Sequence, residues 1–344
     1  MPHYETSTRS HVGHRYQHNE DRIGCDPARG VWIVADGMGG HARGDIAAEV
    51  AVEALLGAHD LTSAPLDALL LRAHGAVQQQ GRALGHEAMG STAVVLRLPT
   101  DDSLPSAELA WCGDSRGYLW RGGELVQLTR DHSLLEELIK SGLVRPEEAF
   151  GHPQKHVLVQ ALGIDDPAPR PGVVRVPVRS GDLLLLCSDG LHDELPEAAL
   201  RAAFANAGVS AAARGDTHRL DALTKDLEAA VLQAQARDNI SVVVVAIVDV
   251  PAGPAESAAA LRADIAAQWQ TLDAGRLVSG ETTAATTEVD VAAAGGPGVA
   301  ARLRRLGARV ERWLGVLVQR ARTAPLLGIV LMTLLLVILG VLIL

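Results

Sequence analysis

The sequence predicts an α+β fold in which neighbouring strands run antiparallel. Short apolar runs with the composition of strands occur at residues 31–35, 92–96, 109–112, 117–120, 182–187 and 240–248. Helical periodicity predicts helices over residues 45–57, 66–84, 133–141 and 220–236. The runs at 109–112 and 117–120 are separated only by a short turn, so a sheet of strictly alternating strands and helices fits less well.

The composition of the chain changes after its first 250 residues. Residues 1–250 hold the predicted strands and helices, and we expect them to form one domain. Residues 251–299 are rich in alanine, threonine and glycine, which predicts a linker, and the stretch 256–272 is compatible with a short helix. Residues 300–324 contain seven arginines and one glutamate and predict a basic amphipathic helix beside a membrane.

The last part of the sequence predicts a transmembrane helix over residues 325–344. Residues 326–344 carry no charged side chain, and as a helix these 19 residues are roughly 28 Å long, close to the hydrocarbon thickness of a bilayer. The arginines precede the span, so the positive-inside rule places residues 1–250 in the cytoplasm. We therefore expect a single-pass protein of the cell membrane whose tail contacts lipids.

Charge and cysteine content exclude several classes of function. The chain has a net charge of −10 although its tail is basic, so the body is acidic. An acidic body repels a phosphate backbone, which argues against nucleic acid as a partner and favours cations. Cys25, Cys112 and Cys187 are widely spaced and form no CxxC pair, so neither a zinc site nor a disulfide framework is expected.

Aspartates stand at the ends of several predicted strands. Each one alone is typical of a turn. Together they indicate a cation, because carboxylates that converge do not stay ionised without a counter-charge. Oxygen ligands without cysteine or clustered histidine favour Mg²⁺ or Mn²⁺ over zinc. The four aspartates at these strand ends are Asp36, Asp114, Asp189 and Asp238.

Seven motifs, in their order along residues 8–249, resemble those of the PP2C-like (PPM) metal-dependent Ser/Thr protein phosphatases of bacterial type. The motifs are DGMGGHARGDIAA, GSTAVV, CGDSRGYLW, LTRDHS, HPQKHVLVQALG, GDLLLLCSDGL and RDNISVVVV. The resemblance implies a four-layer αββα sandwich of two antiparallel sheets. It also implies hydrolysis of phosphoserine and phosphothreonine in proteins by a hydroxide that bridges two metal ions. The expected cofactors are Mn²⁺ or Mg²⁺, and the expected partners are phosphoproteins and an opposing Ser/Thr kinase.

The same resemblance assigns the residues of a two-ion centre. Asp36 would bridge both ions and thereby form the catalytic core. The backbone carbonyl of Gly37 would bind one of the ions. Asp189 and Asp238 would hold the second ion.

Further carboxylates match peripheral positions of the family. Asp21, with Glu20, matches the position that contacts metal-bound water. Asp114 and Asp193 match positions that bind a weaker third ion. The resemblance therefore implies two or three ions, with six carboxylates in addition to Asp36 around them.

The chain departs from the family at the arginine that binds phosphate. That arginine usually stands three residues before the NED-type motif, which here begins at Asn19, so its place is taken by Tyr16. Arg15 is one residue earlier, and its planar guanidinium suits a phosphate dianion. Arg43 is an alternative, and Arg15 as a surface residue without a role is another.

Two other functions are compatible with these residues. One is a catalytically silent module that binds phosphoproteins as a scaffold. The other is a metallohydrolase of the same fold that acts on a small phosphoester. The retained aspartates argue against the scaffold, whereas the displaced arginine favours it.

Overall fold

The computed structural model of the protein describes residues 2–278 apart from 40–42, 87, 102, 165–167, 209–216 and 253–255. The strands are β1 His3–His11, β2 Asp21–Asp26, β3 Val31–Met38, β4 Gly90–Ser91, β5 Ala93–Arg97, β6 Ser106–Cys112, β7 Arg116–Arg121, β8 Glu124–Gln127, β9 Gly172–Pro177, β10 Leu183–Cys187 and β11 Ile240–Asp249. The helices are α1 Gly44–Leu56, α2 Leu66–Leu84, α3 Leu134–Lys140, α4 Asp189–His192, α5 Glu197–Ala207, α6 Thr217–Gln233 and α7 Ala258–Val278.

The strands form two antiparallel sheets. The first sheet has the order β1-β11-β10-β7-β8, and the second has the order β2-β3-β5-β6-β9, with β4 paired to β3. All of these pairings are antiparallel. The predicted α+β class with two antiparallel sheets is confirmed.

Alternation of side chains along the strands builds three apolar layers. In β5, Val94 points into the core between the sheets, whereas Val95 points to the outer core under α1 and α2. In β11, Val243 faces the same inter-sheet core and Val244 faces the outer core under α5 and α6. Two helical layers therefore enclose two sheets, which is the αββα sandwich.

Several elements were absent from the sequence prediction: β1, β2, β4, β8, β9, α4 and α5. Strand β1 has the polar sequence HYETSTRSH, and only Ser7 within it is fully buried. It lies at the edge of the first sheet and pairs with β11 along its whole length. Backbone hydrogen bonds to a neighbouring apolar strand are sufficient for an edge strand, and they leave no hydrophobic pattern in its own sequence.

Two of the three cysteines are buried. Cys112 and Cys187 are free and buried in the described structure, whereas Cys25 is free and exposed.

Packing extends beyond residue 250 because helix α7 adds its apolar side to the domain. Leu261 and Ile265 are fully buried and belong to the core between the sheets. The short helix considered for 256–272 is therefore longer and forms part of the folded unit. Among the described helices, none combines the length and apolar character that crossing a bilayer requires. The predicted juxtamembrane helix at 300–324 and the predicted span at 325–344 lie outside the described residues.

Candidate metal centre

Strand ends of both sheets supply the acidic residues of the centre. Asp21 opens β2 and lies opposite Asp36 of β3 in the register of the second sheet. Asp189 follows β10 and begins α4, and Asp238 stands two residues before β11, which is the neighbour of β10 in the first sheet. Asp114 occupies the turn between β6 and β7, one strand from each sheet.

These five carboxyl groups act on one another electrostatically. Burial raises the pKa of Asp36 well above its usual value, and the charges of Asp21, Asp189, Asp114 and Asp238 raise it further. Asp21 and Asp36 lie opposite each other in the register of β2 and β3. Ser188, which precedes Asp189, donates a hydrogen bond to Asp21 at 2.8 Å and accepts one from the Ser241 N–H of β11 at 3.0 Å. The ends of β2, β10 and β11 therefore lie together.

Two carboxylate oxygens in this cluster lack a hydrogen-bond partner. Asp21 accepts a hydrogen bond from Ser188 Oγ at 2.8 Å through Oδ2, but its buried Oδ1 has no partner among the described residues. The buried Oδ1 of Asp189 has none there either. Burial raises the pKa of Asp21 to about 7, and the charges of Asp189 and Asp238 add to this effect. Buried oxygens without partners among repelling charges fit a divalent cation.

A close backbone approach brings Asp189 next to Asp238. A Cβ atom on Gly190 would lie 2.0 Å from the carbonyl oxygen of Asn239, so only glycine allows α4 to pack this closely. Burial and the charge of Asp189 raise the pKa of Asp238 to about 6, whereas a backbone hydrogen bond from Asn239 lowers it. The sequence SDGL thus combines a ligand candidate with the glycine that positions it.

Asn239 fixes the N-terminal loop to this centre, a role that sequence reasoning missed. Its Oδ1 accepts a hydrogen bond from the backbone N–H of Glu20 at 2.7 Å. Its Nδ2 donates to the carbonyl oxygens of Val12 at 2.8 Å and His18 at 3.2 Å. The buried amide therefore joins the loop before β2 to the start of β11. In the sequence, only the RDN motif marks this position, and that motif predicted a role for Asp238 but none for Asn239.

The backbone around Gly37 is equally crowded. A Cβ atom on Gly37 would lie 2.0 Å from the carbonyl oxygen of Gly44, and the Gly37 N–H donates to the carbonyl of Glu20 at 3.2 Å. Burial raises the pKa of Glu20, and the charge of Asp45 raises it further. Glu20 and Gly37 are therefore adjacent, as the family motif implies.

Two cationic side chains that were not predicted, Lys155 and His156, lie beside Asp189 and Asp193. His156 Nδ1 lies 3.0 Å from Asp193 Oδ2 and 3.8 Å from Asp189 Oδ2, and Lys155 Nζ lies 3.2 Å from Asp193 Oδ2. The ligand atoms of His156, Asp189 and Asp193 lie within 4.8 Å of one another, a spacing that could hold a metal ion. The contact joins residues more than 30 positions apart, and no local pattern in HPQKH announces it.

Opposing effects act on Asp193. Burial acts to raise the pKa of Asp193, but hydrogen bonding to His192 and the positive charges of His192, Lys155 and His156 outweigh it and lower the pKa to about 2. Asp193 is therefore ionised and paired with Lys155 and His156. His192 Nε2 also lies 3.1 Å from the carbonyl oxygen of Asp114, which connects the two residues expected at a third ion.

The two candidate arginines, Arg15 and Arg43, lie in different surroundings. The Arg15 guanidinium carbon lies 5.7 Å from the centroid of the Tyr16 ring. Burial raises the pKa of the Tyr16 phenol, and the carboxylate of Asp238 raises it further, so this ring lies beside the acidic cluster. Arg43 instead pairs with Asp45 at 3.5 Å, and half of its side chain is exposed.

The sequence comparisons define the family. The pattern of the family described as protein phosphatase 2C matches residues 9–231, which is more than half of the chain. Serine/threonine phosphatase stp of Listeria innocua is 37% identical over 210 residues, covering 55% of this chain and 79% of that protein. Serine/threonine protein phosphatase PstP of Mycobacterium tuberculosis is 34% identical over 251 residues, covering 71% of this chain and 45% of that protein.

Solved structures agree with this placement. The M. tuberculosis PstP/Ppp crystal structure superposes with a TM-score of 0.61 at 30% identity, over 72% of this chain and 99% of that one. A structure of the PstP catalytic domain in complex with two manganese ions gives a TM-score of 0.59 at 30% identity, with the same coverage. The chain therefore belongs to the protein phosphatase 2C family of bacterial type. The expected enzyme class, protein serine/threonine phosphatase, is confirmed.

Proposed function

We propose that this protein hydrolyses phosphoserine and phosphothreonine in phosphoproteins with the help of Mn²⁺ or Mg²⁺. The observation that carries the proposal is the convergence of strand-end aspartates around Asp36, each raising the pKa of that carboxyl group. Membership of the phosphatase family supports it, as does the relative whose catalytic domain binds two manganese ions.

The carboxylates fit two divalent ions. Asp36 would serve as a ligand to both ions, the Gly37 carbonyl would bind one of them, and Asp189 and Asp238 would hold the second. The partnerless Oδ1 of Asp189 supports this assignment, because a buried anionic oxygen requires a donor or a cation. When bound, such ions lower the pKa of a coordinated water and neutralise charge on phosphoryl oxygens.

The surrounding residues hold this ligand set in place. We assign to Asp21 and Glu20 a contact with the ions through water, and the 2.8 Å hydrogen bond from Ser188 that orients Asp21 supports this role. We assign Asp114 and Asp193 to a weaker third ion, and the link between them through His192 supports that assignment.

A substrate comparison tests the proposed function. The full chain in detergent with Mn²⁺ is expected to release phosphate from phosphothreonine peptides at least about tenfold faster than from sugar phosphates at equal concentration. Faster turnover of the sugar phosphates would favour a small-molecule phosphoesterase. Binding of the phosphopeptide without any turnover would favour a scaffold.

Arg15 is expected to bind the phosphoryl group of the substrate. The Arg15→Ala variant should lower kcat/KM for p-nitrophenyl phosphate by about 10- to 100-fold, because a hydrogen bond to a charged group contributes roughly 1.5–3 kcal/mol. Steady-state kinetics with Mn²⁺ measure this. Arg43→Ala is the matched control and should remain within about twofold of the wild type. Equal losses in both variants, or a loss only in Arg43→Ala, would reject the assignment to Arg15.

We also propose that the enzyme is attached to the cytoplasmic face of the cell membrane and opposes a Ser/Thr kinase there. The uncharged residues 326–344 and the arginines that precede them support the attachment. A membrane anchor raises the local concentration of enzyme near membrane-bound phosphoproteins. Full-length protein should sediment with membranes and resist extraction by carbonate, and a chain ending at residue 286 should not.

A further inference from the structure

Helix α7 lies beyond the residues that the family pattern matches, which end at residue 231. It packs against the first sheet at β8 and the second at β9, where Leu261 and Ile265 enter the core between them. Trp269 packs against the same core and donates a hydrogen bond through Nε1 to the carbonyl oxygen of Leu128 at 3.2 Å. The helix is therefore attached to the catalytic domain along its length.

The C-terminal half of α7 holds the residues that lead into α3. Asp273 Oδ1 accepts a hydrogen bond from Arg130 Nη2 at 2.6 Å, and Lys140 Nζ lies 3.8 Å from the same oxygen. The Arg130 guanidinium carbon also lies 5.6 Å from the centroid of the Trp269 ring. Its Nε is 3.8 Å from Glu136 Oε1 in the first turn of α3. The carboxylate of Asp273 thus contacts Arg130, which precedes α3, and Lys140, which is the last residue of α3.

Residues 133–159, here called the crossover segment, connect this contact to the metal centre. At the start of α3, the Leu134 N–H donates to the Val157 carbonyl oxygen at 2.7 Å. The Val159 N–H donates to the His132 carbonyl oxygen at 2.8 Å. These bonds fix the position of His156, which contacts Asp189 and Asp193.

The crossover segment also presents apolar side chains to solvent. Leu143, Phe150, Val157 and Val159 are between 46% and 74% exposed, although such residues are usually buried. Phe150 lies beside Lys155, and Val157 follows His156, and both of these cations contact Asp193. Exposed apolar side chains at this place suit a polypeptide substrate, whereas a small phosphoester has nothing to place against them. The position of the segment therefore matters more for protein substrates than for small ones.

We propose that α7 braces the crossover segment and that Asp273 is the positioning residue through which it does so. The inference rests on the proposed phosphatase function and adds to it the part of the chain that sets recognition of protein substrates. Asp273 contacts no reacting atom. It acts by holding Arg130 and α3 in a fixed position, and thereby the part of the crossover segment that carries His156.

The test compares a protein substrate with a small one. In the full chain with Mn²⁺, Asp273→Asn is expected to raise KM for phosphorylated casein by roughly 2- to 30-fold. The same variant should keep kcat/KM for p-nitrophenyl phosphate within about twofold. Arg262→Gln is the matched control, because it breaks the other ion pair of α7, that of Arg262 with Glu124 at 2.7 Å. Both side chains of that pair are almost half exposed, so its loss should change neither substrate.

Hydrogen exchange provides a readout that does not require turnover. Amides of residues 134–159 should exchange faster in Asp273→Asn than in the wild type and in Arg262→Gln. Unchanged exchange in Asp273→Asn, an equal effect of both variants, or a parallel loss with both substrates would overturn the bracing role. An inactive wild type would instead reject the proposed function, and the exchange measurement would still decide the role of Asp273.

Discussion

Replacing Asp36 by asparagine is expected to abolish phosphatase activity with Mn²⁺ or Mg²⁺, by about 10³-fold or more in kcat. The carboxylate is assigned to both ions, and metal ions supply several kcal/mol of transition-state stabilisation in such reactions. The fold should survive, because the substitution removes the carboxyl group of Asp36 from among the mutually repelling carboxyl groups that surround it. We therefore expect the metal-free variant to melt at or above the temperature of the metal-free wild type.

Two measurements separate this outcome from misfolding. Kinetics with p-nitrophenyl phosphate report the loss of turnover, and thermal melts with and without Mn²⁺ report the loss of metal-induced stabilisation. Asp101→Asn is the control, since that aspartate is exposed and hydrogen-bonded only to Ser103 nearby. Turnover by Asp36→Asn at the level of this control would eliminate the metal assignment.

Removal of metal should make the protein less stable as the pH rises. Burial raises the pKa of Asp21 to about 7 and that of Asp238 to about 6, well above the values near 4 of an unfolded chain. A carboxyl group whose pKa is raised in the folded state stabilises the fold at pH values below its pKa in the unfolded chain. That stabilisation is lost as the pH rises through the folded-state pKa values of 6 to 7. Asp193, whose pKa is lowered to about 2, titrates outside this window.

Thermal melts at pH 5, 6.5 and 8 test this expectation. In EDTA the Tm should fall from pH 5 to pH 8. Mn²⁺ at about 100 times its Kd should raise the Tm at pH 8 by roughly 5–10 °C, because binding at that level contributes about 2.7 kcal/mol. The Mn²⁺ effect should shrink at pH 5, where protons compete for the carboxylates. A Tm in EDTA that rises with pH over this range would contradict the proposed cluster.

The parts of the fold that sequence predicted are those with a strong local pattern. The runs that became β3, β5, β10 and β11 are continuously apolar because both faces of each strand are buried between layers. Strand β1 carries no such pattern, since it is an edge strand stabilised by its backbone bonds to β11. Helix α7 was predicted only in part, as a possible short helix over 256–272 within a linker, because its alanine-rich sequence shows only a weak apolar face.

The residues of the candidate site also divide into those with a local sequence pattern and those without one. Asp36 and Asp189 could be singled out from the sequence because each stands at the end of an apolar run and is followed by glycine. Asn239 makes three hydrogen bonds to a loop some 220 residues away, and nothing in its sequence neighbourhood encodes those partners. His156 likewise reaches Asp193 only because the crossover segment folds back over α4.

The pairing of β1 with β11 has a consequence for how the protein is made. His3 lies opposite Asp249, so the first strand to leave the ribosome has no sheet neighbour until the last one has been synthesised. Asp21 and Asp36 are translated early, whereas Asp189 and Asp238 follow some 150 to 200 residues later. Contacts this distant in sequence form slowly and late in folding. The proposed metal centre is therefore incomplete until nearly the entire domain has emerged.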